Sequence, residues 1–275
     1  MQNKRWRTAG KWFLALLWML VALVPFWFMA QTGFKESLEL MTAPVWALPE
    51  SPTLDNFRSV IEGNFFRFLS NSLIVVSISI ALVVIFAAMA AYVFGRMQFR
   101  LNRPLFALII AGLVVPIHVT LIPVYLLTTN IGLYDKIWAL VGPYVAFSLP
   151  VSIFILTGFM REIPRELEEA ARIDGCGPMR AFFSIILPLT RPGLATIAVF
   201  NAVSLWNEFV FAYVLTSSTE VRTLPLALWE FQGQYSSNIP AIMSVLVMSS
   251  LPLIFAYILF QEQLVKGIMA GAVKG

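Results

Sequence analysis

Two side chains stand out as groups that could do chemistry in an otherwise apolar sequence: the carboxylate Glu208 and the single histidine, His118, in Pro116-Ile117-His118-Val119. Glu208 is the one carboxylate set well inside a long apolar run, where an acid can relay protons. It has no second buried acid to pass a proton to. His118 lacks the companions that a metal site needs. A zinc protease motif requires two histidines, and a Ser/His nucleophile pair would have to use His118 alone. His118 is therefore expected to be a hydrogen-bonded packing residue. No G-x-x-x-x-G-K-[ST] loop is present to cradle a triphosphate, so a transport engine would have to come from another polypeptide. Cys176 is the only cysteine, so no internal disulfide can form. No catalytic residue, metal ligand or bound cofactor is assigned, and the reading is of a non-enzyme.

The segment Arg161 to Arg191 is dense in both charge signs between two apolar runs. Pro164 suits a first helical position, Glu166, Glu168 and Glu169 suit the positive end of a helix, and Gly175 stops it. A helix from Pro164 to Asp174 would extend about 16 Å. Leu167, Ala170 and Ala171 share a face with Glu169 beside them, and the two alanines let another backbone approach closely. An amphipathic helix lying on lipid headgroups would show a large apolar face and a basic polar one; this helix is acidic and small-residued. Gly177-Pro178 then prevents immediate continuation, and Phe182, Phe183, Ile185 and Ile186 lead back into apolar sequence before Pro188.

Further polar residues lie within or beside apolar runs. Asn201, Ser204 and Glu208 recur at i, i+3 and i+7, with Asn207 alongside. They form a stripe that fits either a translocation path or hydrogen-bonded contact between helices. Asn71-Ser72 suits a helix N-cap as well as a channel role. The loop Thr216 to Ile239 carries Pro225, Trp229, Phe231 and Gly233, and Trp229 fits an interfacial anchor.

The elements that must position these residues follow from composition. The 275 residues are 59% hydrophobic and 12% charged, about half the charge of a soluble domain. Six runs are long enough to cross a hydrocarbon core of about 30 Å: about 12–30, 69–94, 104–127, 137–160, 189–215 and 240–260. Each should be a helix, since lipid offers no partner for a bare backbone. The fold class is all-α, a polytopic membrane protein with six transmembrane helices in a single domain, 1–275. The first run is longer than a signal-peptide core and lacks a good cleavage site, which reads as an uncleaved anchor. Of the 19 Lys and Arg, 14 fall at the two termini and in the loops on their side. The positive-inside bias makes both termini cytoplasmic. The net charge of +4 is accounted for by topology and calls for no nucleic acid.

Glu169-Ala170-Ala171, then Gly175, then Ile185-x-Leu187-Pro188 resembles the EAA loop, here 161–188, of ABC importer permeases. Trp206-Asn207-Glu208-Phe209 and the terminal Gly271-Ala272-Val273-Lys274-Gly275 are similar to the maltose-type, binding-protein-dependent carbohydrate permeases, and the likeness covers nearly the whole chain. Cys176 departs from the alanine common there, with similar size. The resemblance implies a type I (MetI-like) fold in the bacterial inner membrane with a cytoplasmic EAA coupling helix. Glu169, Ala170, Ala171, Asp174 and Gly175 would contact the ATPase. It also implies a second, homologous permease, a dimer of ATPase subunits that bind ATP and Mg, and an extracytoplasmic solute-binding protein touched by Trp229 and Phe231. Selectivity in that family lies mainly in the binding protein, and no pattern here names the sugar. An ion-coupled secondary transporter is the rival, but it would show paired repeats, discontinuous spans and more than one buried charge, none apparent in the sequence.

Overall fold

The computed structural model describes residues 2–231 and 238–272, all helix and connecting turns with no strand among them. Gly233 and the terminal Val273-Lys274-Gly275 lie outside the described residues. The principal helices are α1 (Gln2–Gly33), α2 (Asp55–Glu62), α3 (Phe65–Arg96), α4 (Asn102–Ala111), α5 (Leu121–Asn130), α6 (Val141–Glu162), α7 (Glu166–Ile173), α8 (Arg191–Trp206), α9 (Val210–Leu215) and α10 (Ile239–Ala272). Four straight stretches are long and apolar enough to span a membrane: Gly10–Gly33, Phe65–Arg96, Ile137–Glu162 and Ile239–Leu259. Two bent pairs, Asn102–Val114 with Ile117–Asn130 and Pro178–Leu189 with Arg191–Trp206, raise the number to six.

Two of the spans expected to be continuous are broken. The third turns through 90° between Val114 and Ile117. Pro116 brings no N–H to the helix, and Val115 before it is extended, at φ −73° and ψ 115°. At the expected start of the fifth, Pro178–Leu189 meets Arg191–Trp206 at 71°. Pro188 cannot donate to the carbonyl four residues back, and the turn before it, Phe182–Ile186, widens to a π-helix. The fifth span itself breaks after Trp206, and α9 starts at Val210.

The chain divides into two compact units, Met1–Phe66 with Ala227–Pro252, and Arg67–Leu226 with Leu253–Gly275. In the first, Asn56 on α2 donates to the carbonyls of Gly33 at 2.9 Å and Lys35 at 2.8 Å, fastening α2 to the end of α1. In the second, a core of Ala87, Ala88, Ala91 and Tyr92 from α3 meets Ile153, Leu156 and Met160 from α6, with Phe182, Ile186 and Ile197. Small residues on α3 let the helices approach closely. Gly193 does the same for α8, since a Cβ there would lie 2.8 Å from the Phe159 ring.

Candidate functional site

The charged loop after α6 folds as a short helix with defined ends. α7 runs from Glu166 to Ile173, two residues later than expected at its start, with Arg165 already in helical backbone. All three acids of its first turn, Glu166, Glu168 and Glu169, lie at the positive end of the helix. Its last turn closes with Cys176 N–H donating to Ala171 C=O at 2.8 Å and Gly175 N–H to Arg172 C=O at 3.0 Å. Gly175 sits between them at φ +78°, the left-handed conformation that such a C-terminal motif requires. Gly177 then precedes Pro178, the first residue of the next helical turn.

Glu169, Ala170, Asp174 and Gly175 are exposed, whereas Ala171 is buried and faces the body of the chain. The alanine pair is thus split, one outward and one inward. Ile173, next to Asp174, is 87% exposed and Met179 67%, so this loop holds apolar side chains in the open. The inward side is tied down. Arg96, last residue of α3, meets Glu168 at 2.7 Å, with both side chains nearly buried. Its guanidinium also donates to the carbonyls of Met160 (3.1 Å), Ile163 (2.6 Å) and Pro164 (3.3 Å). Tyr92 packs on the Phe182 ring at 4.9 Å between centroids and donates to Pro178 C=O at 3.3 Å. Sequence alone does not single out Arg96, which lies 72 residues before Glu168 with two apolar runs between them.

A second set of expected residues gathers around a cavity of about 350 Å³. Asn201, Ser204 and Glu208 line it with Tyr144 and Ser148, and Asn207 lies outside its wall. Leu113 and Ile117, on either side of the 90° bend, also face it. Asn201 is buried and donates to Ser152 Oγ at 2.9 Å and Ile197 C=O at 2.7 Å, joining α8 to α6. Ser204 and Asn207 donate to carbonyls four residues back, at 3.0 and 2.8 Å. Glu208 sits at the break before α9, its carboxylate accepting from Phe211 N–H (2.8 Å), Ala212 N–H (3.2 Å) and Tyr144 O–H (2.8 Å). It caps α9 and forms part of the cavity wall at once.

Two expectations need correction. Asn71 and Ser72 do not open a helix, because α3 begins at Phe65. They fasten a loop instead: Asn71 donates to the carbonyls of Glu220 and Arg222, each at 2.8 Å, and Ser72 Oγ accepts from Leu224 N–H at 2.8 Å. His118 is exposed in a single 3₁₀ turn after the bend rather than packed in a helix. Among the described residues no group of three or more His, Cys, Asp or Glu could hold a metal. Trp229 is 43% exposed on the helical turn Leu224–Phe231, and Phe231 is half-buried at its end.

Residues 83–269, which include α7, the cavity and Trp229, match the family described as "Binding-protein-dependent transport system inner membrane component". The chain belongs to this family. This inner membrane component is 57% identical over 267 residues, covering 96% of it and 97% of the relative, to ABC transporter permease protein ORF2 of Caldicellulosiruptor sp. (strain Rt8B.4). It is 31% identical over 277 residues, covering 98% and 99%, to the melibiose/raffinose/stachyose import permease protein MelC of Bacillus subtilis (strain 168). In fold it is similar to a chain of a bacterial ABC transporter involved in the import of the acidic polysaccharide alginate, with TM-score 0.78 at 22% identity over 95% of this chain and 98% of that one. Discontinuous spans therefore do not speak for ion coupling here, since the broken helices belong to a binding-protein-dependent component.

Proposed function

We propose that this inner membrane component is the permease subunit of an ABC importer that carries a carbohydrate into the cytoplasm, with residues 1–275 acting as one transmembrane domain. Both termini and α7 face the cytoplasm, in keeping with the Lys and Arg bias of the loops. A second, homologous permease completes the pathway, and a dimer of separate ATPase subunits binds ATP and Mg. An extracytoplasmic binding protein delivers the solute against the outer loop that holds Trp229 and Phe231. The carbohydrate class follows the relatives, of which MelC is named for the import of melibiose, raffinose and stachyose.

The observation that carries the reading is the two-sided build of α7. Its outer side offers Glu169, Ala170 and Asp174 with the exposed Ile173, suited to a polar and apolar cleft on another protein. Its inner side is held by Arg96 to the ends of α3 and α6. A push on the outer side would reach two membrane helices. Closure of the ATPase dimer would thereby favour an outward-facing state, and hydrolysis would reset it. Asn201, Ser204 and Glu208 line the path, with Asn207 at its margin.

Substituting Glu169→Lys or Gly175→Asp tests this. Both sites are exposed, so the chain should still insert, while co-purification of the ATPase and solute uptake fall together. Normal uptake and normal co-purification in both variants would refute the assignment.

A further inference from the structure

A pocket of about 530 Å³ lies where the turn after α3 meets the end of α6, lined by Arg100, Arg103, Arg161 and Arg165 with Phe94 and Phe99. No carboxylate lines it. The ion pairs at Arg58, Arg67 and Arg96 draw on none of these four. Topology accounts for the number of arginines on this side, but not for their convergence on one concavity, where like charges repel. An anion would relieve that. Helix α4 also begins in this wall, at Asn102, so the positive end of its dipole faces the same concavity. The wall is held in shape: Asn102 donates to Met97 C=O at 2.9 Å, Arg161 donates to Phe94 C=O at 3.3 Å, and the Arg161 guanidinium sits 5.3 Å from the Phe106 ring centre.

We infer that this pocket binds the phosphate of an anionic glycerophospholipid of the cytoplasmic leaflet. Guanidinium groups match phosphate oxygens in paired hydrogen bonds, and basic pockets between membrane helices take such headgroups. A lipid fits better than free phosphate because Phe94, Met97, Phe99 and Pro104 stand in the wall beside the arginines and the wall continues onto apolar α4, where Leu105 and Leu108 are 40% and 69% exposed, a surface for acyl chains. Arg161 closes α6 and Arg165 leads into α7. A bound headgroup therefore braces the root of the coupling helix against the membrane. The inference rests on the topology proposed above.

The test uses the intact transporter in nanodiscs of phosphatidylcholine, with or without phosphatidylglycerol. Native mass spectrometry counts retained phosphatidylglycerol, and ATP-driven uptake is measured in matching liposomes. The variant is Arg100→Gln with Arg103→Gln, two exposed side chains. Phosphatidylglycerol retention should fall about fivefold for each arginine removed, and the lipid stimulation of uptake should fall with it. Arg100→Lys with Arg103→Lys should keep part of both, since charge survives but the paired geometry does not. Unchanged retention in the Gln variant overturns the proposal. So does loss of ATPase co-purification with retention intact, which would make the pocket a protein contact. Inorganic phosphate restoring uptake in phosphatidylcholine alone would replace the lipid by a free anion and overturn it as well. Gln98→Cys in a Cys176→Ala chain separates the two readings. Labelling by an impermeant thiol reagent only from outside refutes the topology itself. Labelling only from inside, with retention unchanged in the Gln variant, removes the lipid site alone.

Discussion

Arg96 and Glu168 join the last residue of α3 to the first turn of α7, with Nη2 and Nε at 2.7 and 2.8 Å from one carboxylate oxygen. The side chains are only 2% and 12% exposed. Such a pair adds little stability over an apolar substitute, yet removing one partner leaves a buried charge unmatched. Since the same guanidinium holds the carbonyls at the end of α6, it fixes the angle at which α7 leaves the membrane.

Arg96→Ala should therefore destabilise the purified chain by about 3–5 kcal/mol, read as a lowered thermal midpoint in detergent. Glu168→Gln keeps an acceptor and should cost less. In liposomes carrying the assembled transporter, Glu168→Gln should lower solute moved per ATP hydrolysed more than it lowers ATPase binding, because the outer side of α7 is untouched. An unchanged transport-to-hydrolysis ratio would show that the pair only stabilises.

Glu208 satisfies two backbone amides and the Tyr144 hydroxyl beside the cavity. Glu208→Ala leaves all three without their acceptor and should cost about 1–3 kcal/mol. Tyr144→Phe removes one bond and should cost about 0.5–1.5 kcal/mol. Thermal melts rank the two. If Glu208 also serves passage, Tyr144→Phe should leave uptake near normal while Glu208→Ala abolishes it with the ATPase still bound.

Asp135 links the turn after α5 to the segment after α9. It accepts from the N–H groups of Ser217 and Ser218 at 2.7 and 2.8 Å and from the Ser218 hydroxyl at 3.1 Å. Burial pushes its carboxyl up, but these bonds and the charge of Arg222 outweigh burial and hold it below the usual carboxylate range. The stabilisation is complete above the unfolded value of about 3.9 and is lost as pH falls through the lower folded value. Asp135→Asn suits the positive φ of 55°. It should remove this part of the pH dependence, so the gap between wild-type and variant melting points should shrink on acidification below about pH 4. A gap constant from neutral pH downward would contradict the assignment.

Asn71 ties two carbonyls of the segment before the Leu224–Phe231 turn. Asn71→Ala should free Arg222 for cleavage, and limited trypsin digestion should cut there several times faster while the rest of the chain holds. Equal rates would mean that Ser72 alone secures the segment.

Helix existence was legible wherever apolar length decided the matter, as in Phe65–Arg96 and Ile137–Glu162. The outline of α7 was legible too, because proline, acids and glycine mark helix ends by local chemistry. The breaks were not. Pro116 lies in a run whose hydrophobicity continues across it, and the break after Trp206 falls inside the run 189–215; a sliding count of apolar residues registers neither. Asn71 and Ser72 carry side chains that cap helices when they come first, but Phe65 and Phe66 had already begun the helix. Their partners lie about 150 positions away in sequence, beyond any local pattern. Arg96 was hidden for the same reason, 72 residues from Glu168.

The most direct test of the account places a photo-crosslinking side chain at Ala170, exposed on the outer side of α7, in the assembled transporter. Illumination should give an adduct with the ATPase subunit, and ATP should change its yield. Adducts with lipid or with the extracytoplasmic binding protein alone would contradict the account.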